Sequence, residues 1–558
     1  MKARFVQLLS LCLCAAFLLS ACGSVQSIVA PATVTVTILY GSEKQQWLDP
    51  LVKQYNSEQH KTSTGKVIMI TATPLGSLES GDDIVSGRIQ ATVWSPASAI
   101  YIPVENAVWR KTHSDDLVVG TPSNLLLSPV VIAMWRPMAQ ALGWPNKPIG
   151  WSDIANLAIS DKGWAAFNYP EWGTFKFGHT HPDFSNSGLV SVLAEAYAAA
   201  GKQRGLTVAD TQDPKVQTFM NQVESSIIHY GSSTGFFADK MFQGGPSYLS
   251  AAVMYENLVA AQEDARIKGT SSQLSVVAIY PKEGTFWSDH PYAIVNAPWV
   301  TADQKEAAQT FEKFLLDKPQ QLAAIQLGFR PADPSIPLTS PLDADHGVDV
   351  QQPKTVLEIP SADVTQAALG LWRQTKKPVD VELVLDVSGS MAGDKIAAAR
   401  NSVSQFIGLL DDNDRLSFTI FNNTITPITP LSTLGPKRAD LINHVSGIVE
   451  GGGTALYDAV GGAYDDLTAK GDLKHIRALV VMTDGQDTDS NSTLDDLVAK
   501  IGKNSEEGGN AIKVFTIAFG SDADQTVLTQ IANATGGKEY AADPKSVSAT
   551  YADIATFF

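Results

Sequence analysis

Val381-Glu382-Leu383-Val384-Leu385-Asp386-Val387-Ser388-Gly389-Ser390-Met391 decides how this chain is read. Val381 to Leu385 is an apolar run of the kind that forms a buried parallel strand. At its carboxyl end the spacing Asp-x-Ser-x-Ser gathers the Asp386 carboxylate and the Ser388 and Ser390 hydroxyls in a single turn. All three offer hard oxygens, the donors Mg2+ takes in octahedral geometry. Alone, the triplet is an ordinary turn, because Asp and Ser are common turn formers. Two later segments add weight. Gly451-Gly452-Gly453-Thr454-Ala455-Leu456 places Thr454 at a helix start, and Val480-Val481-Met482-Thr483-Asp484-Gly485 places Asp484 at a second strand end.

In this order the three segments resemble the metal-ion-dependent adhesion site of the von Willebrand factor A domain, and the resemblance runs over 378–558. It implies that Ser388 and Ser390, with Thr454 in some states, ligate one Mg2+ or Mn2+ ion, while Asp386 and Asp484 act mainly through waters. Two carboxylates would balance the ion, leaving a near-neutral site. A water on its outer side would then give way to the acidic side chain of a protein partner. The segment reads β-α-β-α-α-β-α-β-α, with strands at 380–385, 415–421, 478–482 and 513–519 and helices at 395–410, 437–449, 456–468, 494–501 and 525–533. That is a doubly wound, Rossmann-like sheet covered on both faces, which binds ligands at the carboxyl ends of its strands. Asp394 is expected near the rim, Asp458 on a solvated helix face, and Asp487 and Asp489 in surface turns.

The other end of the chain carries an address. Lys2 and Arg4 precede an apolar core from Phe5 to Leu19, then Leu19-Ser20-Ala21-Cys22. This resembles the lipobox of bacterial lipoproteins, so 1–22 is read as a signal peptide with Cys22 lipidated, and 23–33 as a tether. With Cys12 and Cys14 removed and Cys22 lipidated, no thiol of the three remains for a disulfide or a metal. The lipid would be the membrane attachment, on the extracytoplasmic side of the bacterial cell envelope. The net charge of −17 is concentrated late: residues 378–558 hold 25 Asp and Glu against 13 Lys and Arg. Such a surface attracts cations and repels nucleic acid.

Between these ends, 34–331 alternates strands and helices with small polar residues at strand ends. Strands are expected at 35–40, 66–73, 91–94, 125–135 and 276–280, and helices at 43–54, 81–88, 189–200 and 302–317. Element order and the phrases Thr92-Val93-Trp94-Ser95-Pro96-Ala97-Ser98 and Ser185-Asn186-Ser187-Gly188 resemble the type II, sulfate/molybdate-like solute-binding proteins. The fold class is therefore α/β, a bilobal periplasmic-binding-protein module followed by the A module. The resemblance implies a ligand cleft, for which the candidates are Ser42, Ser77, Ser95, Ser98, Ser185, Asn186, Ser187 and Tyr255. Ser185 to Gly188 precede a helix, whose free N–H groups would seat an anion or carboxylate; simple N-capping explains the same residues as well. A buried Glu256 would disfavour a small anion. His179 and His181 are expected in a loop, and Trp94, Trp151, Trp164, Trp172 and Trp287 in the core rather than as a sugar platform.

The stretch 332–377 is read as a surface connection and then a helix from Ser361. Val364, Ala367, Ala368, Leu371 and Trp372 form one stripe that should pack on the first module. No H-E-x-x-H or phosphate-loop pattern occurs, so a non-enzyme is expected. The functional expectation is a surface-anchored protein pairing cation-dependent docking with a solute-binding-like cleft. The alternative is a receptor of an ABC-type transport system, with the A module as accessory.

Overall fold

The computed structural model describes residues 32–231, 233–472, 474–502, 512–555 and 557–558. The leader, Cys22 and most of the tether lie outside them. Among the described residues no helix is long and apolar enough to cross a membrane.

The chain first builds two lobes. In the first, β1 (Thr33–Gly41) pairs in parallel with β2 (Val67–Leu75) and β3 (Val93–Ser95), and β4 (Ser123–Asn124) lies at the far edge. The second is laid on β5 (Leu126–Trp135), flanked by β6 (Phe177–Gly178), β7 (Ala251–Tyr255), β8 (Val276–Ile279) and β9 (Trp287–Ser288). β10 (Pro291–Ile294) then returns to the first sheet, antiparallel to β3, and β11 (Arg330–Pro331) to the second, antiparallel to β5. Nine of its ten residues are buried, so β5 runs through the core of its lobe.

The third sheet has the order β14-β13-β12-β15-β16-β17. It comprises β12 (Val379–Asp386), β13 (Arg415–Phe421), β14 (Ile425–Thr433), β15 (Ile476–Thr483), β16 (Lys513–Phe519) and β17 (Glu539–Ala542). All neighbours are parallel except β14, which runs antiparallel along one edge. The expected order of elements lacked β14, β17 and a closing helix, Val547–Ala555. β12 is also less uniformly apolar than it reads. Val379, Val381, Leu383 and Leu385 face one hydrophobic layer, and Val384 the other. On that second face Asp380 is buried against Arg415 and His475, and Glu382 against the hydroxyls of Ser417 and Thr419.

The stretch 332–360 is not a free surface connection. Leu342, Val348 and Leu357 are buried, and Val356 bridges to Thr285. The helix Ala362–Thr375 lies against the helices Asn186–Ala200, Val208–Thr211 and Pro214–Glu224 of the second lobe. Trp372 is its anchor, edge-on to His181 at 4.9 Å and to Tyr230 at 5.5 Å. Arg373 pairs with Asp183 at 2.6 Å, and the Tyr230 N–H donates to the Phe557 carbonyl at 3.2 Å. One buried hydrophobic cluster runs unbroken from the lobes through Trp372 into β12 and the closing helix.

Candidate functional site

At the carboxyl ends of β12 and β15 the three predicted segments meet. Ser388 and Ser390 hydroxyls stand 3.0 Å apart, and Ser390 donates to Asp484 Oδ1 at 2.6 Å. Asp386 accepts the Ser388 N–H at 2.7 Å and the Thr483 hydroxyl at 2.5 Å, so both its oxygens are engaged. Burial, the largest influence, lifts its carboxyl above the ordinary range. Thr454 arrives from the third loop. A Cβ added at Gly485 would lie 3.6 Å from the Thr454 hydroxyl and 3.8 Å from that of Ser390, which places both hydroxyls beside the loop that carries Asp484.

Backbone bonds hold the loops in place. Gly389 N–H donates to the Gly452 carbonyl at 3.0 Å and Gly451 N–H to that of Val387 at 2.8 Å. Gly452 adopts φ +89°, a left-handed conformation that glycine enters without cost. Asp489 and Thr488 accept the Thr454 N–H, and Asp487 that of Tyr457. Asp487, Asp489 and Asp458 thus brace the Thr454 loop, with Asp458 accepting the N–H groups of Asn491 and Ser492, rather than standing as free surface carboxylates.

One participant escaped the sequence reading. Lys395 Nζ donates to Asp484 Oδ2 at 2.5 Å. The expected charge balance therefore changes: with Lys395 included, the site carries −1 without a divalent ion and +1 with one. Hydroxyls that turn freely and carboxylates held behind them form an all-oxygen donor set, which fits Mg2+ or Mn2+. Asp394 is exposed at the start of the next helix.

The cleft candidates are all buried, and the seam between the lobes brings only some of them together. Ser42 Oγ of the first lobe is 2.8 Å from Ser233 Oγ of the second. Ser185 contacts Thr234 at 3.3 Å; Ser187 contacts Thr180 at 2.7 Å and Thr234 at 3.0 Å. Asn186 Nδ2 donates to the Tyr255 hydroxyl at 3.0 Å. Ser77 accepts the Ala97 N–H and so ties its loop to the one after β3, whereas Ser98 accepts that of Ile100 within its own turn. The Ser185 side chain makes no cap, and the Gly188 N–H is already satisfied at 2.7 Å by the Thr180 hydroxyl. Glu256 likewise offers no free charge to the cleft: Arg330 clasps it through two bonds of 2.8 and 2.7 Å.

The seam also holds charges that the sequence did not announce. Lys44, Glu43 and His290 are buried together, with Lys44 Nζ 2.7 Å from Glu43 Oε1 and 3.3 Å from His290 Nδ1. Burial works against the Glu43 charge, but the Lys44 ammonium and His290 outweigh it and hold the carboxyl down at about 2. Burial pushes His290 down to about 4, so its ring is neutral at physiological pH. Trp94, Trp151 and Trp164 are core residues; Trp172 stacks on Tyr169, and Trp287 lies under Arg330.

Comparison with known proteins agrees with this division. Residues 36–330 match the bacterial extracellular solute-binding protein family and residues 380–553 the von Willebrand factor type A domain. The chain belongs to the bacterial extracellular solute-binding proteins and carries a C-terminal von Willebrand factor type A domain. Both are binding-type domains; A domains generally mediate protein interaction and commonly bind a divalent metal, and solute-binding domains take small solutes. An uncharacterized protein of Mycobacterium tuberculosis is 23% identical over 524 residues, covering 86% of this chain and 71% of its own. Among solved structures, a periplasmic thiamin binding protein is similar at 14% identity and a TM-score of 0.44, over 62% of this chain and 96% of that one. A von Willebrand factor type A protein from Catenulispora acidiphila is similar at 22% identity and a TM-score of 0.29, over 32% of this chain and 42% of that one.

Proposed function

We propose that this protein is a non-catalytic, lipid-anchored binding protein of the bacterial cell envelope that docks an acidic side chain of another protein through a divalent cation. The observation that carries the reading is the convergence of Asp386, Ser388, Ser390, Thr454 and Asp484 from three loops at one sheet edge. Ser388, Ser390 and Thr454 would hold Mg2+ or Mn2+ directly, with Asp386 and Asp484 behind waters. Bound there, the ion would offer a coordination position to a partner's carboxylate. The chain's own contribution is electrostatic: Lys395 keeps Asp484 from fully neutralising the ion, so a loaded site attracts an anion. Calorimetric titration with Mg2+ and with Mn2+ tests this. Asp386→Ala should abolish the binding heat, and an unchanged heat sinks the assignment.

The anchor rests on Lys2 to Cys22. Cys22→Ser should move the protein from the membrane fraction to the soluble one; persistent membrane association would count against a lipid on that residue.

A second reading, a transport receptor with the A domain as accessory, draws on the seam. Ser95 Oγ, Asn186 Oδ1 and His290 Nε2 are buried there without a hydrogen-bond partner among the described residues. Buried polar atoms left unpaired are costly, and a solute that paired them would recover that cost. Thermal shift of the full chain against oxyanions, sugars and peptides separates the readings, since a response confined to Mg2+ and Mn2+ favours the first.

A further inference from the structure

A second cluster of ligand-type side chains lies inside the second lobe, beneath the linker helix. His179 follows β6, Glu195 sits within the helix Asn186–Ala200, and Glu224 closes the helix Pro214–Glu224. All three are fully buried, and one ligand atom from each lies within 4.8 Å of the other two. The sequence hid this, because the two carboxylates stand 16 and 45 residues from the histidine on separate helices.

The proton count at His179 exposes the problem. Its Nδ1 is 2.7 Å from the Thr180 carbonyl oxygen, which can only accept, so Nδ1 carries the hydrogen. In a neutral ring Nε2 then presents a lone pair, and 3.0 Å away stands Glu224 Oε1. Tyr230 donates to the other oxygen, Oε2, at 2.6 Å and turns Oε1 toward the histidine. Neither oxygen of Glu195 finds a donor among the described residues. Two buried carboxylates and an imidazole lone pair facing one point call for a cation.

We propose that His179, Glu195 and Glu224 hold a buried divalent transition-metal ion, Zn2+ being the first expectation. The donor chemistry argues for this class: imidazole suits zinc and its neighbours, whereas Mg2+ and Ca2+ take oxygen sets. Charge closes too, since two carboxylates and one divalent ion sum to zero inside the lobe. A backbone carbonyl on the far ring nitrogen is the usual outer contact of a metal-bound histidine, and it fixes the tautomer required here. The ion would also brace the joint between modules, because Tyr230, held by Glu224, is the residue that touches Trp372 and the Phe557 carbonyl.

The test uses the full chain, purified from zinc-supplemented cells without chelator, with metal measured by plasma mass spectrometry. About one zinc per chain is expected, bound tightly enough to survive dialysis. Asp386→Ala, which disables only the sheet-edge site, should keep it. Glu195→Gln, nearly isosteric, should lower zinc content at least tenfold and remove the visible band of the cobalt-substituted protein. His179→Ala should do the same, with its fold checked by circular dichroism. A wild-type chain that takes neither zinc nor cobalt, even after refolding with excess ion, overturns the proposal. So does a Glu195→Gln variant that keeps its zinc; in either case the cluster shares protons instead.

Discussion

The edge of the third sheet and the seam between the lobes are both built from hydroxyls and carboxylates, yet they solve opposite problems. At the edge, Asp386 and Asp484 are buried while Ser390 faces water, and their hydrogen bonds are made largely within the group. Such a network can exchange an internal bond for an ion without opening the fold. At the seam, Lys44, Glu43 and His290 are buried, and some neighbouring polar atoms lack partners among the described residues. Charge at the edge is adjustable; charge at the seam is structural.

The strongest way to break this comparison is to remove the seam's cation. Lys44→Met leaves the buried Glu43 with His290 beside it but no ammonium, which should cost about 3–5 kcal/mol in urea unfolding, and Glu43→Gln added to it should recover most of the loss. A loss below about 1 kcal/mol would mean the seam tolerates charge as the edge does.

A smaller effect is expected on the strand that carries the edge. Burial lifts Glu382 from its ordinary 4.5 to about 7. The folded chain therefore keeps a proton that the unfolded chain releases, so its contribution is complete below pH 4.5 and is lost as pH rises through about 7. Glu382→Gln should flatten that slope and gain up to about 3 kcal/mol at pH 8 relative to the parent. Equal pH slopes in the two proteins would refute the buried-proton account.

The smallest effect sharpens the edge itself. Lys395→Met removes the charge that competes with the ion, and Mg2+ affinity measured by calorimetry should rise several-fold, about 1 kcal/mol. Unchanged affinity would show that Asp484, not Lys395, sets the local charge.

The edge was legible in the sequence because its ligands sit in short phrases, each at the end of an apolar run. Lys395 was not, since a lysine early in a helix is ordinary until its partner is known. β14 was missed for a physical reason: Pro427 and Pro430 argue against a strand interior and are tolerated here on an exposed edge. β17 has four residues and too little pattern to announce itself. The seam was only partly legible, as its contacts join residues such as Ser42 and Ser233, 191 positions apart. Small polar residues at strand ends marked where to look, but not whether a hydroxyl would stay within its own turn, as Ser98 does, or cross to the other lobe, as Ser42 does.

The helix anchored by Trp372 is packed on the second lobe and continuous with the core of the third sheet. The edge of that sheet therefore travels with the lobe as a lever arm travels with its pivot. A solute that alters the angle between the lobes would swing a docked partner through the same arc. Thermodynamic reciprocity then fixes the return effect: by whatever factor the solute changes docking affinity, docking must change solute affinity by the same factor.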